Sequence, residues 1–231
     1  MKYSDVVIIG GGPAGMSAAL AAAQAGVRVT MMDRFSEPGG QLVKQTHRFF
    51  GSERERAGTR GIEIVEILRR EMKENPLIEI KTNTDVLGIY SDRVIPYEEN
   101  HVYGRMTGGK IIIATGASEK MLPFENNDLP GVYGAGAVQT LMNVYGIQPG
   151  KRVLMIGAGN IGLIVSYQLL QAGVKVAAIV EASPRIGGYK VHASKVRRFG
   201  VPILTRTTII AALGETALTG AVIADVDDRF Q

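Results

Sequence analysis

VVIIGGGPAG, residues 6–15, runs from a β-branched stretch into an alanine-rich one through closely spaced glycines, and its reading decides the fold. Val6 to Ile9 predict a short strand. Gly10, Gly12 and Gly15 fall at the G-x-G-x-x-G positions: Gly10 permits a tight turn, Gly12 lets the backbone approach a diphosphate, and Gly15 allows a helix to pack closely on the strand. Pro13 falls in the first turn of a helix over about 13–25, where a missing N–H costs nothing. The free amides and positive dipole end of that helix then face a phosphate. After Gly26, VRVTMMD predicts a second strand ending in Asp33, 23 residues beyond Gly10 and suitably placed to accept hydrogen bonds from an adenosine ribose.

Further along, RVLMIGAGNIG at residues 152–162 repeats the design: a strand Arg152 to Ile156, glycines at 157, 159 and 162, and a helix to about Ala172. Gly173 comes next, then VKVAAIVE ends in Glu181, 24 residues beyond Gly157. A carboxylate there binds a free ribose 2′-hydroxyl and repels a 2′-phosphate, favouring NAD(H) over NADP(H). Arg185 weighs the other way, because a nearby arginine accommodates a phosphate. Strand, glycines, helix, strand and terminal acid occurring twice imply two dinucleotides. The competing readings are a glycine-rich turn without ligand, and a Rossmann fold that persists after losing its nucleotide.

At 231 residues the chain suffices for one large domain or two modest ones, and 45% hydrophobic residues with 29 glycines fit a globular α/β protein. The formal charge of +4 is a mild excess that aids attraction of anionic dinucleotides. It is no nucleic-acid signature: Lys190, Lys195, Arg197 and Arg198 lie on an expected helix without interleaved aromatics and read as a solvated face. The absence of cysteine excludes disulfides, thiolate metal sites and a C-x-x-C redox pair within the chain. His101 and His192 are isolated from other ligand types, so no metal site is expected. No stretch approaches the roughly 18 apolar residues of a membrane span. The N-terminus has no basic leader region beyond Lys2, and a cytoplasmic location is the expectation.

Between the fingerprints, residues 34–61 read as a long loop with Gly39, Gly40 and Gln41 near its start, a length that commonly covers ligands. Ile62, Val65, Leu68 and Met72 recur at helical spacing over about 59–75, closed by Pro76, and LIEIKT supplies a strand. Segments near 84–90, 93–98 and 101–106 predict an antiparallel meander. KIIIATG predicts a separate strand, Lys110 to Ala114, buried in a parallel sheet and ending in Thr115 and Gly116, where a ligand can approach closely. Residues 117–131 read as the connection between domains 1–118 and 119–231 and as a hinge. Helices over 134–145 and near 189–199, the strand VPILT and the pair 207–213 and 217–225 make up the second domain. The fold class expected is α/β with two Rossmann-like dinucleotide-binding domains.

VVIIGGGPAG with Asp33, GGQL at 39–42, IIIATG at 111–116 and GAGNIG with Glu181 together resemble the two-dinucleotide-binding-domain flavoproteins, the superfamily of thioredoxin reductase and related pyridine-nucleotide oxidoreductases. The resemblance implies an FAD-binding domain with an inserted NAD(P)-binding domain. It assigns Gly10, Gly12, Pro13, Ala14 and Gly15 to the FAD diphosphate, Asp33 with Arg34 beside it to the adenosine ribose, and Gly40 and Gln41 to the diphosphate or flavin. Val86 would offer backbone contacts to adenine, and Ala114, Thr115 and Gly116 would run beside the cofactor. Gly157, Gly159, Asn160, Ile161, Gly162 and Glu181 would form the NAD(H) site.

QLVKQTHRFFGSERERAGTRGIEI and GAGAVQTLMNVYGIQPGKRVLMIGAGNIG look most like the group around the α subunits of sarcosine oxidase, proline dehydrogenase and opine oxidase. That likeness implies an oxidoreductase transferring hydride between NAD(H) and flavin beside an amine- or alcohol-oxidising flavoprotein subunit and a small iron–sulfur protein. Two alternatives are a scaffold subunit that holds nucleotide without catalysis and an inactive remnant. The superfamily's C-terminal completion of the FAD domain, with its Gly-Asp motif, has no counterpart after Asp228, so the sequence reads as a fragment, as one half of a split protein whose second chain supplies the rest, or as a reduced protein. Lys44, Thr46 and His47 come just after GGQ and read either as neighbours of the flavin ring or as a solvated loop; no catalytic side chain is assigned.

Overall fold

The computed structural model describes residues 1–227 and 229. Asp228, Phe230 and Gln231 lie outside the described residues, and so does the expected absence of a completing segment after Asp228. The chain divides into two compact units, Met1–Ser118 and Glu119–Gln231.

The first unit is built on a six-stranded sheet. Its strands are β1 (Lys2–Ile9), β2 (Val29–Met32), β3 (Ile78–Lys81), β4 (Thr84–Val86), β5 (Val94–Glu99) and β6 (Val102–Ile113), in the order β3-β2-β1-β6-β5-β4. β3, β2, β1 and β6 run parallel, and the β6-β5-β4 edge is antiparallel. Helices α1 (Pro13–Gln24) and α2 (Gly61–Lys73) cover one face, where Ile8, Met16, Met31, Leu68 and Met72 form the core. On the other face Val7, Met32, Ile95, Tyr97 and Met106 form a smaller cluster under the folded-over meander.

β6 departs from the sequence reading, which splits 101–114 into two strands. The structure runs 12 residues unbroken, antiparallel to β5 over 102–107 and parallel to β1 over 106–113. Gly108 and Gly109 mark close approach of a neighbouring strand rather than a turn. A Cβ on Gly109 would sit 2.7 Å from the Asp5 carbonyl oxygen. The expectation of full burial also fails at the strand's end: Ile112 is 37% and Ile113 66% exposed, because the second cluster reaches only to Ile111. The long loop likewise contains an unforeseen 3-10 turn over Gly40–Lys44.

In the second unit β7 (Arg152–Ile156), β8 (Lys175–Glu181) and β9 (Ile203–Thr205) form a parallel sheet in sequence order, and β10 (Thr207–Leu213) pairs antiparallel with β11 (Gly220–Asp225). Helices α3 (Ala135–Asn143), α4 (Asn160–Gln171) and α5 (Lys190–Arg198) pack on the sheet around Leu163, Val165, Leu169, Ile179 and Val196. Glu119 begins this unit by accepting the Ala135 and Gly136 amides at 2.8 and 2.9 Å, capping α3.

Candidate functional site

Each unit places a glycine turn between its first strand and the helix after it, and the two turns have nearly the same backbone. Gly10 has φ 103° and Gly157 φ 93°, a region that disfavours any side chain. Gly12 caps α1 at φ −74°, ψ −178°, and Gly159 caps α4 at φ −72°, ψ 177°. Neither helix has a side-chain cap or an acidic residue in its first turn, so the first-turn amides remain available to an anion. A Cβ on Gly15 would land on the Gly10 carbonyl oxygen, and one on Gly162 on that of Gly157. The third glycine is therefore a packing requirement in both units. Pro13 and Ala14, and Ile161 in the second unit, lie exposed on the first turn of their helices.

The terminal acids close the turns. Asp33, 7% exposed, accepts the Gly11 amide through Oδ2 at 2.5 Å and the Phe35 amide through Oδ1 at 2.9 Å. Glu181 accepts the Ala158 amide through Oε2 at 2.8 Å and the Ser183 amide through Oε1 at 3.0 Å. In each case one oxygen holds the middle residue of the glycine turn and the other holds the amide two residues beyond the acid. A carboxylate has about four lone-pair positions, so both acids keep acceptor capacity for a pair of ribose hydroxyls. A residue that grips the turn and still presents free lone pairs fits the adenosine end of a dinucleotide whose diphosphate meets the helix amides.

In the first unit the remaining expected residues gather around this turn. The Gly39 amide donates to the Gly11 carbonyl at 2.7 Å, and Gly40 lies against Gly12: a Cβ on Gly40 would be 2.8 Å from the Gly12 Cα. Arg69 of α2 secures that loop through Nε to the Pro38 carbonyl at 2.7 Å. The Ala114 carbonyl covers Gly10, and Thr115 and Gly116 continue from it. Gln41 is exposed on the 3-10 turn. Arg34 turns outward to an ion pair with Asp85 at 3.2 Å, which ties the acid's strand end to β4. Val86 pairs with Tyr97, and its strand is joined to the acid by the Thr84 amide donating to the Asp33 carbonyl at 2.9 Å.

The second unit has counterparts that the sequence reading passed over. Gly187 and Gly188 stand six and seven positions after Glu181, as Gly39 and Gly40 do after Asp33. The Gly188 amide donates to the Ala158 carbonyl at 2.9 Å, and the Tyr189 amide donates to Asn160 Oδ1 at 2.8 Å. The corner beyond the acid also repeats. Asn83 and Arg206 take φ 48° and 56°, and their amides donate to the Phe35 and Ser183 carbonyls at 2.9 and 3.2 Å. Thr84 and Thr207 hydroxyls donate to the carbonyls of Thr82 and Thr205 at 2.9 and 3.1 Å. The signals were present as GG at fixed distance from an acid and as T-N-T against T-R-T.

One place breaks the repeat. In the first unit the buried Lys81 ammonium meets Glu99 at 2.6 Å with the Tyr97 ring 5.4 Å away. Burial pulls the Lys81 pKa down, but the hydrogen bond with Glu99 and the neighbouring Tyr97, Glu99 and Glu79 charges outweigh it and hold the pKa above the ordinary lysine value. At the same place in the second unit Leu204, Thr205, Thr207, Ile223 and Asp225 line an open groove of about 480 Å³. Among the described residues no cluster of three or more His, Cys, Asp or Glu side chains is placed to hold a metal, and no helix is long and apolar enough to cross a membrane.

Two α/β units, each with a strand–glycine turn–helix locked by a terminal acid, define a protein of the double dinucleotide-fold class. Residues 4–229 match the pyridine nucleotide-disulphide oxidoreductase family, and the chain belongs to it. Among curated relatives, sarcosine oxidase subunit alpha of Rhizobium meliloti (strain 1021) is 32% identical over 84% of this chain and 21% of its own length. The hydrogen cyanide synthase subunit HcnB of Pseudomonas aeruginosa is 33% identical over 97% of this chain and 52% of its own. The chain thus spans between a fifth and a half of the length of these two relatives. The fold matches thioredoxin reductase of T. acidophilum with a TM-score of 0.77 at 22% identity, covering 97% of this chain and 71% of that one. L-proline dehydrogenase from P. horikoshii matches with a TM-score of 0.69 at 22% identity, covering 99% and 40%.

Proposed function

We propose that this chain is the nucleotide-binding part of an FAD-dependent oxidoreductase, holding FAD on the first unit and NAD(H) on the second, and working beside a partner subunit. The observation that carries the reading is the repeated acid: Asp33 on the Gly11 amide and Glu181 on the Ala158 amide, each with a second oxygen on the amide two residues on.

Gly10, Gly12, Pro13, Ala14 and Gly15 hold the FAD diphosphate against the first turn of α1, with Gly40 and Gln41 on the opposite side. Asp33 binds the adenosine ribose, Val86 offers its backbone to adenine, and Ala114, Thr115 and Gly116 flank the cofactor. Gly157, Gly159, Asn160, Ile161 and Gly162 serve the NAD(H) diphosphate and Glu181 its ribose, selecting against a 2′-phosphate by charge. Bound flavin supplies two-electron chemistry that no side chain of this chain offers, and the protein's part is to bind, orient and exclude. With no cysteine in the chain, the disulphide step in the family's description has no pair of thiols here.

Relatives described as subunits of sarcosine oxidase and hydrogen cyanide synthase support electron transfer to or from a partner polypeptide acting on an amine or alcohol substrate. An iron–sulfur protein and a second chain completing the FAD domain are further partners under this reading. A scaffold role for the second unit is favoured by one feature: no atom lies within 4 Å of a Cβ position on Gly157 or Gly159, so its turn is less enclosed than that of the first unit.

The test is a visible spectrum of the chain reconstituted with FAD, then anaerobic titration with NADH and NADPH. Protein-bound flavin absorption near ~450 nm that bleaches with NADH, and less readily with NADPH, supports the full reading. Flavin that binds but never bleaches leaves the scaffold reading; flavin that binds neither to the chain alone nor to the chain with its partner subunits removes both.

A further inference from the structure

We infer that the Gly187 backbone is the second wall of the diphosphate pocket in the second unit, and that Asn160 is the positioning residue that holds it there. The inference rests on the proposal that this unit binds an adenine dinucleotide, and extends that site to a segment outside the fingerprint.

The geometry comes from the repeat. In the first unit a Cβ on Gly40 would sit 2.8 Å from the Cα of Gly12, the residue that caps α1. In the second unit the Cβ position of Gly187 lies 3.9 Å from the Cα of Gly159, the residue that caps α4. Both pairs put a second stretch of bare backbone beside the helix cap, seven positions after Asp33 in the first unit and six after Glu181 in the second, with the wider gap in the second. A diphosphate that reaches the α4 amides past Gly159 must run alongside Gly187.

Three contacts fix the segment. Gly188 donates to the Ala158 carbonyl at 2.9 Å, Asn160 Oδ1 accepts the Tyr189 amide at 2.8 Å, and Ile186 packs on the core beneath. Gly188 has an internal reason to be glycine: its Cβ would meet Leu163 Cδ1 at 2.6 Å and the Asn160 nitrogen at 2.9 Å. Gly187 has none. Its φ is not positive, and its Cβ would find only an ordinary contact, so the fold alone tolerates alanine there. A glycine that the protein's own packing does not require, beside a helix cap whose amides are free, is explained by the space a ligand takes.

The experiment is isothermal titration of the full chain with NADH and with ADP-ribose, for the wild type and for Gly187→Ala, Gly187→Val and Asn160→Ala. Thermal unfolding and flavin affinity are measured in parallel. Gly187→Ala is expected to weaken NADH by about tenfold and Gly187→Val by about a hundredfold, with unfolding temperature and flavin affinity unchanged. Asn160→Ala weakens NADH while Asn160→Ser, which keeps a neutral oxygen acceptor on the side of the Tyr189 amide, restores part of it. Unchanged NADH affinity in Gly187→Val overturns this inference and leaves the proposed function standing. No binding of NADH or ADP-ribose by the wild type overturns the second site itself. A parallel fall in unfolding temperature across both Gly187 variants overturns the inference by showing a packing role.

Discussion

The two glycine turns share their dihedrals and their acid, yet they differ in their surroundings. Gly10 is roofed by the carbonyl of Ala114 at the end of β6, which pairs along the length of β1. Gly157 has no such neighbour, and β7 pairs with β8 alone among the described residues. The difference separates what the motif itself requires from what its setting adds. Amide-to-acid bonds, the bare helix cap and the third glycine recur without the neighbouring strand, so they belong to the turn itself. The roof is an addition of the first unit, which encloses its site more fully.

The largest effect should come from the third glycine, which the turns share. Gly15→Ala and Gly162→Ala each drive a methyl into a backbone carbonyl and cost on the order of 3 kcal/mol. Hydrogen exchange should show loss of protection in α1 alone for the first and in α4 alone for the second. Gly10→Ala and Gly157→Ala sharpen the contrast. Both incur the cost of an unfavourable positive φ, about 1 kcal/mol or more, but only the first also strikes the Ala114 carbonyl, so urea unfolding should find it the more damaging by about 1 kcal/mol. Equal losses would mean the roof gives way easily.

Next come the acids. Asp33→Asn replaces a charged acceptor by an amide with one acceptor oxygen facing two N–H groups, a loss of roughly 1–3 kcal/mol. Flavin affinity should fall about 10- to 100-fold with NADH affinity intact, and Glu181→Gln should do the reverse.

The smallest effects are in pH. The raised Lys81 pKa means that its stabilisation of the first unit is present below about pH 10.4 and lost as pH rises through the folded-state value. In the second unit burial, helped by the Lys195 charge, lowers the His192 pKa. The unfolded chain then takes up the proton first, so stability is present above about pH 6.5 and falls as pH drops toward the folded-state value. Circular dichroism melts across pH should flatten on the alkaline side in Lys81→Met and on the acid side in His192→Gln.

The features legible in the sequence were local ones. The strand–glycine–helix units could be read because each glycine acts within five residues of its neighbours, and α1, β7, α4 and β8 form within a residue or two of where the pattern puts them. Gly108 and Gly109 misled because the same residue type marks both a turn and a close strand contact; only the β1 partner distinguishes them. The Lys81–Glu99 pair joins residues 18 apart through β-pairing that spacing does not encode. Ile112 and Ile113 carry no sign of which sheet face stays open. Gly187 was hidden by the absence of any apolar pattern around it, although its distance from Glu181 matched the first unit.

The most direct test of the central claim is the stoichiometry of adenine dinucleotide bound per chain, by equilibrium dialysis with FAD and NADH together. Two sites are expected, the FAD site removed by Asp33→Asn and the NADH site by Glu181→Gln. A single site, or one substitution abolishing both, would contradict the account.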